Sequence, residues 1–224
     1  MRDWAEFYVK SQELISRERW NKIYKESINL SIDETLPQII EVFNDYGVKN
    51  VLDLGCGAGR HLIYLAKMGF NVHGIDISDV GISFARQLLK ENNLSGEVIV
   101  GSIYETLPYK DDYFDGIICI RSLHHHTIER IQKTIEEMER VLKPNGLVYV
   151  TVRKEVPKEK RVPSLEIAPQ TYIPLEGKEK GVVHYLFTEE ILRGKFSKFE
   201  ILRLWVEYGS KDWEAYYCLL GKLK

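Results

Sequence analysis

The stretch VLDLGCGAGRH, residues 51–61, constrains the fold of this chain more than any other. Its apolar start suits a strand buried on both faces. Glycines follow at alternate positions, Gly55, Gly57 and Gly59, and then a helix-like RHLIYLAKM that Gly69 stops. A strand that turns through glycines into a helix opens a parallel α/β unit. In such sheets the turn lies at the carboxyl edge, where ligands settle.

The same rhythm continues downstream. FNVHGID reads as a second strand, and Ser78 or Asp79 caps a helix carrying Ile82, Ala85 and Leu88. GEVIVGS and YFDGIICIR give a third and a fourth strand. Thr127 opens an amphipathic helix with Ile128, Ile131, Ile135, Met138 and Leu142 inward, KPNG (143–146) makes a turn, and LVYVTV is the fifth strand. After the helix TEEILRGKF, FEILRLWVEY and WEAYYCLLGKL are two strand-like runs joined by the turn GSKD, a hairpin. The pattern predicts an α/β chain with a Rossmann-like, doubly wound, seven-stranded and mostly parallel sheet that ends on an antiparallel strand.

Two segments flank this core within one structural domain. Residues 1–47 read as an N-terminal helical cap and first core helix: Trp4, Phe7 and Tyr8, then Trp20, Ile23 and Tyr24, then Leu36, Ile39, Ile40 and Phe43 fall at helical spacing. Within 48–224, residues 154–187 hold four of the seven prolines and show no clear periodicity, which predicts a lid or substrate-binding insert.

Composition narrows the setting. Three cysteines, Cys56, Cys119 and Cys218, form no CxxC pair, so zinc and dithiol redox chemistry are disfavoured and the thiols are expected reduced. The charged N-terminus and the lack of a long apolar run point to a cytoplasmic protein with no membrane partner. A net charge of −2 argues against a general nucleic-acid footprint. Selective recognition of a structured RNA is a matter that net charge does not decide.

The glycine loop departs from the dinucleotide fingerprint GxGxxG, because Arg60 stands where the third glycine belongs. Its side chain opposes the close helix–strand packing of a pyrophosphate cradle. Asp76, ending the second strand, suits both hydroxyls of an unphosphorylated ribose. A free ribose without a pyrophosphate fits an adenosyl group that carries an amino acid.

Residues 48–152 resemble the class I S-adenosylmethionine-dependent methyltransferases through four blocks in order: VLDLGCGAGRH, VHGIDIS, LPYKDDYFDGIIC and VLKPNGLVYVTV. The resemblance implies S-adenosylmethionine as cofactor, with S-adenosylhomocysteine as product. It implies that Gly55, Gly57 and Gly59 pack against the cofactor, that Asp53 supports its methionine end, and that Asp76 takes the ribose hydroxyls. Ile77 then lies against the adenine, Ser102 and Ile103 border the adenine edge, and Cys56 and Arg121 complete the cofactor-binding set. Many members carry an aspartate at the position of Ser102 to receive the adenine amino group; this chain does not. A fainter similarity of 166–192 to small methyltransferases of the tellurite-resistance type points to a small-molecule acceptor.

On the acceptor side, RSLHHHT (121–127) ends the fourth strand, and three successive histidines cannot all face one way. His125 is the first candidate to take a proton from the acceptor, with His124 beside it and His184 returning from the insert. Tyr8, Trp20 and Tyr24 are the candidate acceptor-pocket aromatics. No metal is expected. An ion held by His124, His125 and His184 is the lesser reading, as no carboxylate or cysteine stands at matching spacing. Three alternatives stand beside a small-molecule methyltransferase: a tRNA wobble-uridine methyltransferase, whose blocks around RSLHHH and VLKPNG are similar, a nicotinamide-dependent oxidoreductase, and a cofactor-binding protein without turnover.

Overall fold

The computed structural model describes the backbone of residues 2–209 and 214–224, and the side chains of 11–209 (except 158) and 214–224. In chain order the elements are α1 (Arg2–Glu26), α2 (Leu36–Asp45), β1 (Asn50–Leu54), α3 (Arg60–Lys67), β2 (Asn71–Asp76), α4 (Asp79–Glu91), β3 (Glu97–Val100), β4 (Phe114–Ile120), α5 (Ile128–Val141) and β5 (Leu142–Arg153). There follow β6 (Ser164–Ala168), β7 (Thr171–Pro174), β8 (His184–Tyr185), α6 (Glu189–Lys195), β9 (Phe199–Tyr208) and β10 (Ala215–Leu223).

The main sheet has seven strands in the order β3-β2-β1-β4-β5-β10-β9. β1 to β5 pair in parallel, whereas β10 runs antiparallel to both β5 and β9. Alternate residues of each strand divide between two cores. Leu52, Leu54, Ile117, Cys119, Val148 and Val150 join α5 and α6 on one face. Val51, Ile118, Ile120, Leu147 and Tyr149 join α2, α3 and α4 on the other. Helices on both faces are what right-handed crossovers demand. All three cysteines are free and buried, and no described helix is long and apolar enough to cross a membrane.

Three details differ from the sequence expectation. The two short aromatic stretches at the N-terminus lie on one continuous helix, α1. KPNG is a wide bulge inside β5 rather than a turn before it: Leu142 pairs with Phe114, Leu147 pairs with Gly116, and Asn145 has φ +64°. The insert carries structure of its own, an antiparallel sheet in the order β6-β7-β8. Its strands are too short, and β6 too exposed, for a periodicity to show in sequence. The hairpin is present, but most of its turn, from Ser210 on, lies outside the described residues.

Candidate functional site

The carboxyl ends of β1, β2, β3 and β4 open into a cavity of about 440 Å³, a size typical of small-molecule and cofactor sites. Cys56 and Gly55 of the glycine loop, Asp76 and Ile77 after β2, and Ser102 and Ile103 after β3 form one side. Arg121 and His124 to His126, following β4, form the next. α1 closes it with Trp20 and Tyr24, the insert adds Lys178 and Glu179, and Tyr216 of β10 completes the wall.

Each glycine of the loop has its own reason. A side chain on Gly55 would run into Ser122 at the cavity's edge. Gly57 is covered by the Tyr24 hydroxyl. Gly59, at φ +86°, caps α3, and a Cβ there would come within 2.9 Å of Ala85 on α4. Gly55 therefore borders the cavity, while Gly57 and Gly59 serve contacts with α1 and α4.

Asp76 is buried, and each carboxylate oxygen already accepts a backbone N–H: Oδ2 from Gly57 at 2.9 Å and Oδ1 from Ser78 at 2.8 Å. A carboxylate offers about four lone-pair sites, so acceptor capacity is left facing the cavity. Burial raises its pKa to about 6, against the opposing pull of those two N–H groups. Asp53 lies behind the loop, outside the cavity, with Oδ2 buried and unpaired. Burial first, then the charge of Asp76, push its carboxyl up to about 8 although Arg60 draws it down, so it is protonated at neutral pH.

The docking of α1 rests on specific contacts. Asn21 donates to Asp79 at 2.7 Å and accepts from the Ser78 hydroxyl at 2.6 Å, tying α1 to the start of α4. Ser102 donates to Glu13 at 3.2 Å, which sets a carboxylate of α1 beside the position where the resemblance expects an aspartate. Trp20 lies against His125 with ring centroids 5.1 Å apart. The side chain of Tyr8 lies outside the described residues.

β4 ends in a tight reversal: Arg121 has φ +57°, a conformation that costs a non-glycine residue about 1–2 kcal/mol and collects at functional sites. Its N–H donates to the Thr151 hydroxyl at 2.8 Å, and its guanidinium lies 4.6 Å from the centre of the Tyr216 ring. The reversal buries the histidine run, and none of the three is solvated. His126 turns toward Tyr104, and its Nδ1 accepts from the Thr127 N–H at 2.8 Å. His124 and His125 turn instead toward His184, with ring centroids 5.9 and 4.8 Å away. Burial is the main cause that lowers the pKa of His125 to about 3 and of His126 to about 4, and it holds His124 well below its usual value. These imidazoles are neutral at physiological pH.

His184 arrives there because Tyr185 N–H donates to the His124 carbonyl at 2.8 Å, stitching β8 to the end of β4. A carboxylate does stand beside this cluster after all: Glu179 Oε2 is 2.8 Å from His184 Nε2. Burial would raise the Glu179 carboxyl, but the hydrogen bond and charge of His184 outweigh it and hold it near 2. Sequence reading missed Glu179, Glu13 and Tyr216. Each belongs to an element whose approach to the cavity depends on packing, and no motif marks it.

Residues 51–146 match the family model described as a methyltransferase domain. Over these residues the chain carries a methyltransferase domain. A ubiquinone biosynthesis O-methyltransferase of Rickettsia felis is 30% identical to it over 144 residues, 62% of this chain and 57% of that protein, so the chain spans little more than half of that relative's length. Among solved structures, the domain resembles the TehB protein of Haemophilus influenzae with a TM-score of 0.68 at 18% identity, over 92% of this chain and 67% of that one. It also resembles the 1,6-didemethyltoxoflavin-N1-methyltransferase of Burkholderia thailandensis, solved with that compound and S-adenosylhomocysteine bound. There the TM-score is 0.70 at 16% identity, over 100% of this chain and 90% of that one. These two structural likenesses concern the fold.

Proposed function

We propose that this protein transfers the methyl group of S-adenosylmethionine to a heteroatom of a small-molecule acceptor. The observation that carries this reading is a cavity at the carboxyl edge of the sheet lined by both Asp76 and His125, with α1 and the insert contributing to its wall. An RNA stem would need an open surface, and this site is roofed by the chain's own helix. The relative named as an O-methyltransferase favours a hydroxyl-bearing acceptor.

In this reading Asp76 accepts the ribose hydroxyls, Ile77 lies on the adenine, and Gly55 and Cys56 lie along the methionine end. Neutral Asp53 stands behind the loop, outside the cavity. Ile103 borders the adenine edge with Ser102, and Glu13 supplies the carboxylate for the adenine amino group that Ser102, already hydrogen-bonded to it, lacks. Arg121, Trp20, Tyr24 and the histidines enclose the acceptor.

Methyl transfer is an in-line displacement. A lone pair of the acceptor forms the bond to carbon, the carbon–sulfur bond breaks, and its electron pair returns to sulfur as the positive charge disappears. Alignment supplies much of the rate, and a dry pocket stabilises the starting sulfonium less than water does. His125, with a pKa near 3, is a weak base. It orients the acceptor's O–H, N–H or S–H as a hydrogen-bond acceptor more than it removes the proton.

Calorimetry with S-adenosylhomocysteine, followed by methyl-tritiated donor offered with phenols, thiols, amines and bulk tRNA, tests the reading. Binding of the product together with label in a small acceptor is expected. No binding at millimolar product, or label entering tRNA alone, overturns it.

A further inference from the structure

We propose that His124, His125 and His184, backed by Glu179, bind one divalent transition-metal ion of the zinc class in the wall of the cavity. Each imidazole has a ring nitrogen placed so that all three lie within 4.8 Å of one another. A tetrahedral ion with metal–nitrogen bonds of 2.0–2.1 Å needs nitrogens about 3.4 Å apart. Side-chain rotations that close the gap by about 1.4 Å complete the geometry.

Two features of the cluster call for a cation. His124 Nδ1 and His125 Nε2 are buried and have no hydrogen-bond partner, and a buried polar atom left unsatisfied costs about 1–3 kcal/mol. Both ring nitrogens of His184 face acceptors, Nδ1 the Val182 carbonyl at 2.9 Å and Nε2 the Glu179 carboxylate at 2.8 Å. A neutral imidazole has a single N–H, so one of these contacts sets lone pair against lone pair unless a cation lies there. Either a second proton or a metal ion meets that need. A metal ion held through His124 Nδ1 and His125 Nε2 would in addition give those two orphaned nitrogens a partner.

The donor set is specific. Three imidazoles suit zinc and its neighbours in the first transition row, not magnesium or calcium. Three protein ligands with a position left for a fourth is the arrangement of catalytic zinc sites, and a carboxylate on a ligating histidine is its usual support. Arg121 and Arg153 lie against the ring of Tyr216, whose centroid is 6.1 Å from that of His124. Their charge opposes a bare dication, and an anionic fourth ligand offsets it.

The site thereby deepens the methyltransferase reading, on which this part rests. With the ion bound, His125 holds the acceptor through the metal in place of a direct hydrogen bond, and the site favours an acceptor whose hydroxyl or thiol loses its proton to water on coordination. The ionised oxygen or sulfur then attacks the methyl carbon, and the donor's sulfur keeps the electron pair of the broken bond.

The test uses the full chain stripped with chelator and titrated with cobalt(II) chloride. One cobalt per chain is expected, with the visible d–d absorption of a four-coordinate nitrogen-rich site. His125→Gln is expected to weaken cobalt binding about 100-fold, and the half-exposed Glu179→Gln about tenfold with the fold undisturbed. Absence of stoichiometric binding overturns the proposal, and so does unchanged affinity in both variants when circular dichroism shows them folded. Calorimetry of S-adenosylhomocysteine on the metal-free wild type separates the two readings. Its binding there keeps the methyltransferase proposal whatever cobalt does, and its failure tells against that proposal alone.

Discussion

Replacing Asp76 by alanine tests the proposed donor site most directly, because in that proposal the same carboxylate serves the fold and the ligand. On the ligand side, two ribose hydroxyls donating to a carboxylate contribute about 1.5–3 kcal/mol each. Affinity for S-adenosylhomocysteine should therefore fall by about 100-fold or more. On the fold side, the substitution orphans the Gly57 and Ser78 N–H groups, each worth about 1–3 kcal/mol when buried without a partner. Relief of the carboxylate's own burial, visible in its raised pKa of about 6, offsets part of this. Asp76→Asn keeps the shape and one acceptor, so it should fold better than the alanine variant and still bind at least tenfold more weakly than wild type. The assay is calorimetry with the product, paired with urea unfolding of each protein. Wild-type affinity should also decline as pH falls through 6, because the ribose needs the ionised form. The stability of the ligand-free protein owed to this group runs the other way. A carboxyl raised in the folded state takes up a proton on folding, so its contribution is greatest at low pH and is lost between about pH 4 and pH 6. Product affinity of Asp76→Asn within threefold of wild type, in a variant shown to be folded, would refute the ribose role.

Other perturbations probe separate parts of the structure. Glu13→Ala should lower product affinity about tenfold while sparing binding of the inosyl analogue, whose purine carries oxygen in place of the amino group; competition calorimetry with both ligands decides, and equal losses would remove Glu13 from adenine recognition. Gly59→Ala should destabilise the fold by about 2–4 kcal/mol in urea titration, since φ is +86° and the new methyl meets Ala85. For Asp53, folded pKa about 8 against 3.8 means stability is lost as pH rises from about 4 to 8. Asp53→Asn should abolish that loss, changing the slope by about 1.4 kcal/mol per pH unit between pH 6 and 7.5. Parallel urea midpoints for the two proteins across that range would show that the wild-type carboxyl is ionised in the folded state.

Much of this molecule is written locally. The run VLDL, the glycines and the cap Ser78 each act over a few residues, so strand, turn and helix follow from sequence alone. Alternating apolar periods then leave a doubly wound sheet as the economical arrangement. Asp76 was legible for the same reason, since a strand's end fixes where its last carboxylate goes. The individual work of the glycines was not legible. That Gly57 lies under Tyr24 and Gly59 against Ala85 depends on where α1 and α4 come to rest.

Tertiary structure alone decided the rest. A run of three histidines carries no direction until Arg121 reverses the chain and β8 hydrogen-bonds to the His124 carbonyl, bringing His184 and Glu179 from some sixty residues away. The same holds for α1, whose weakly amphipathic sequence gives no hint that Asn21 would pin it to α4 and set Glu13 beside Ser102. Backbone periodicity is a property of neighbours in sequence. The meeting of side chains from distant segments is settled only when packing and buried hydrogen bonds choose among the many ways those segments can dock.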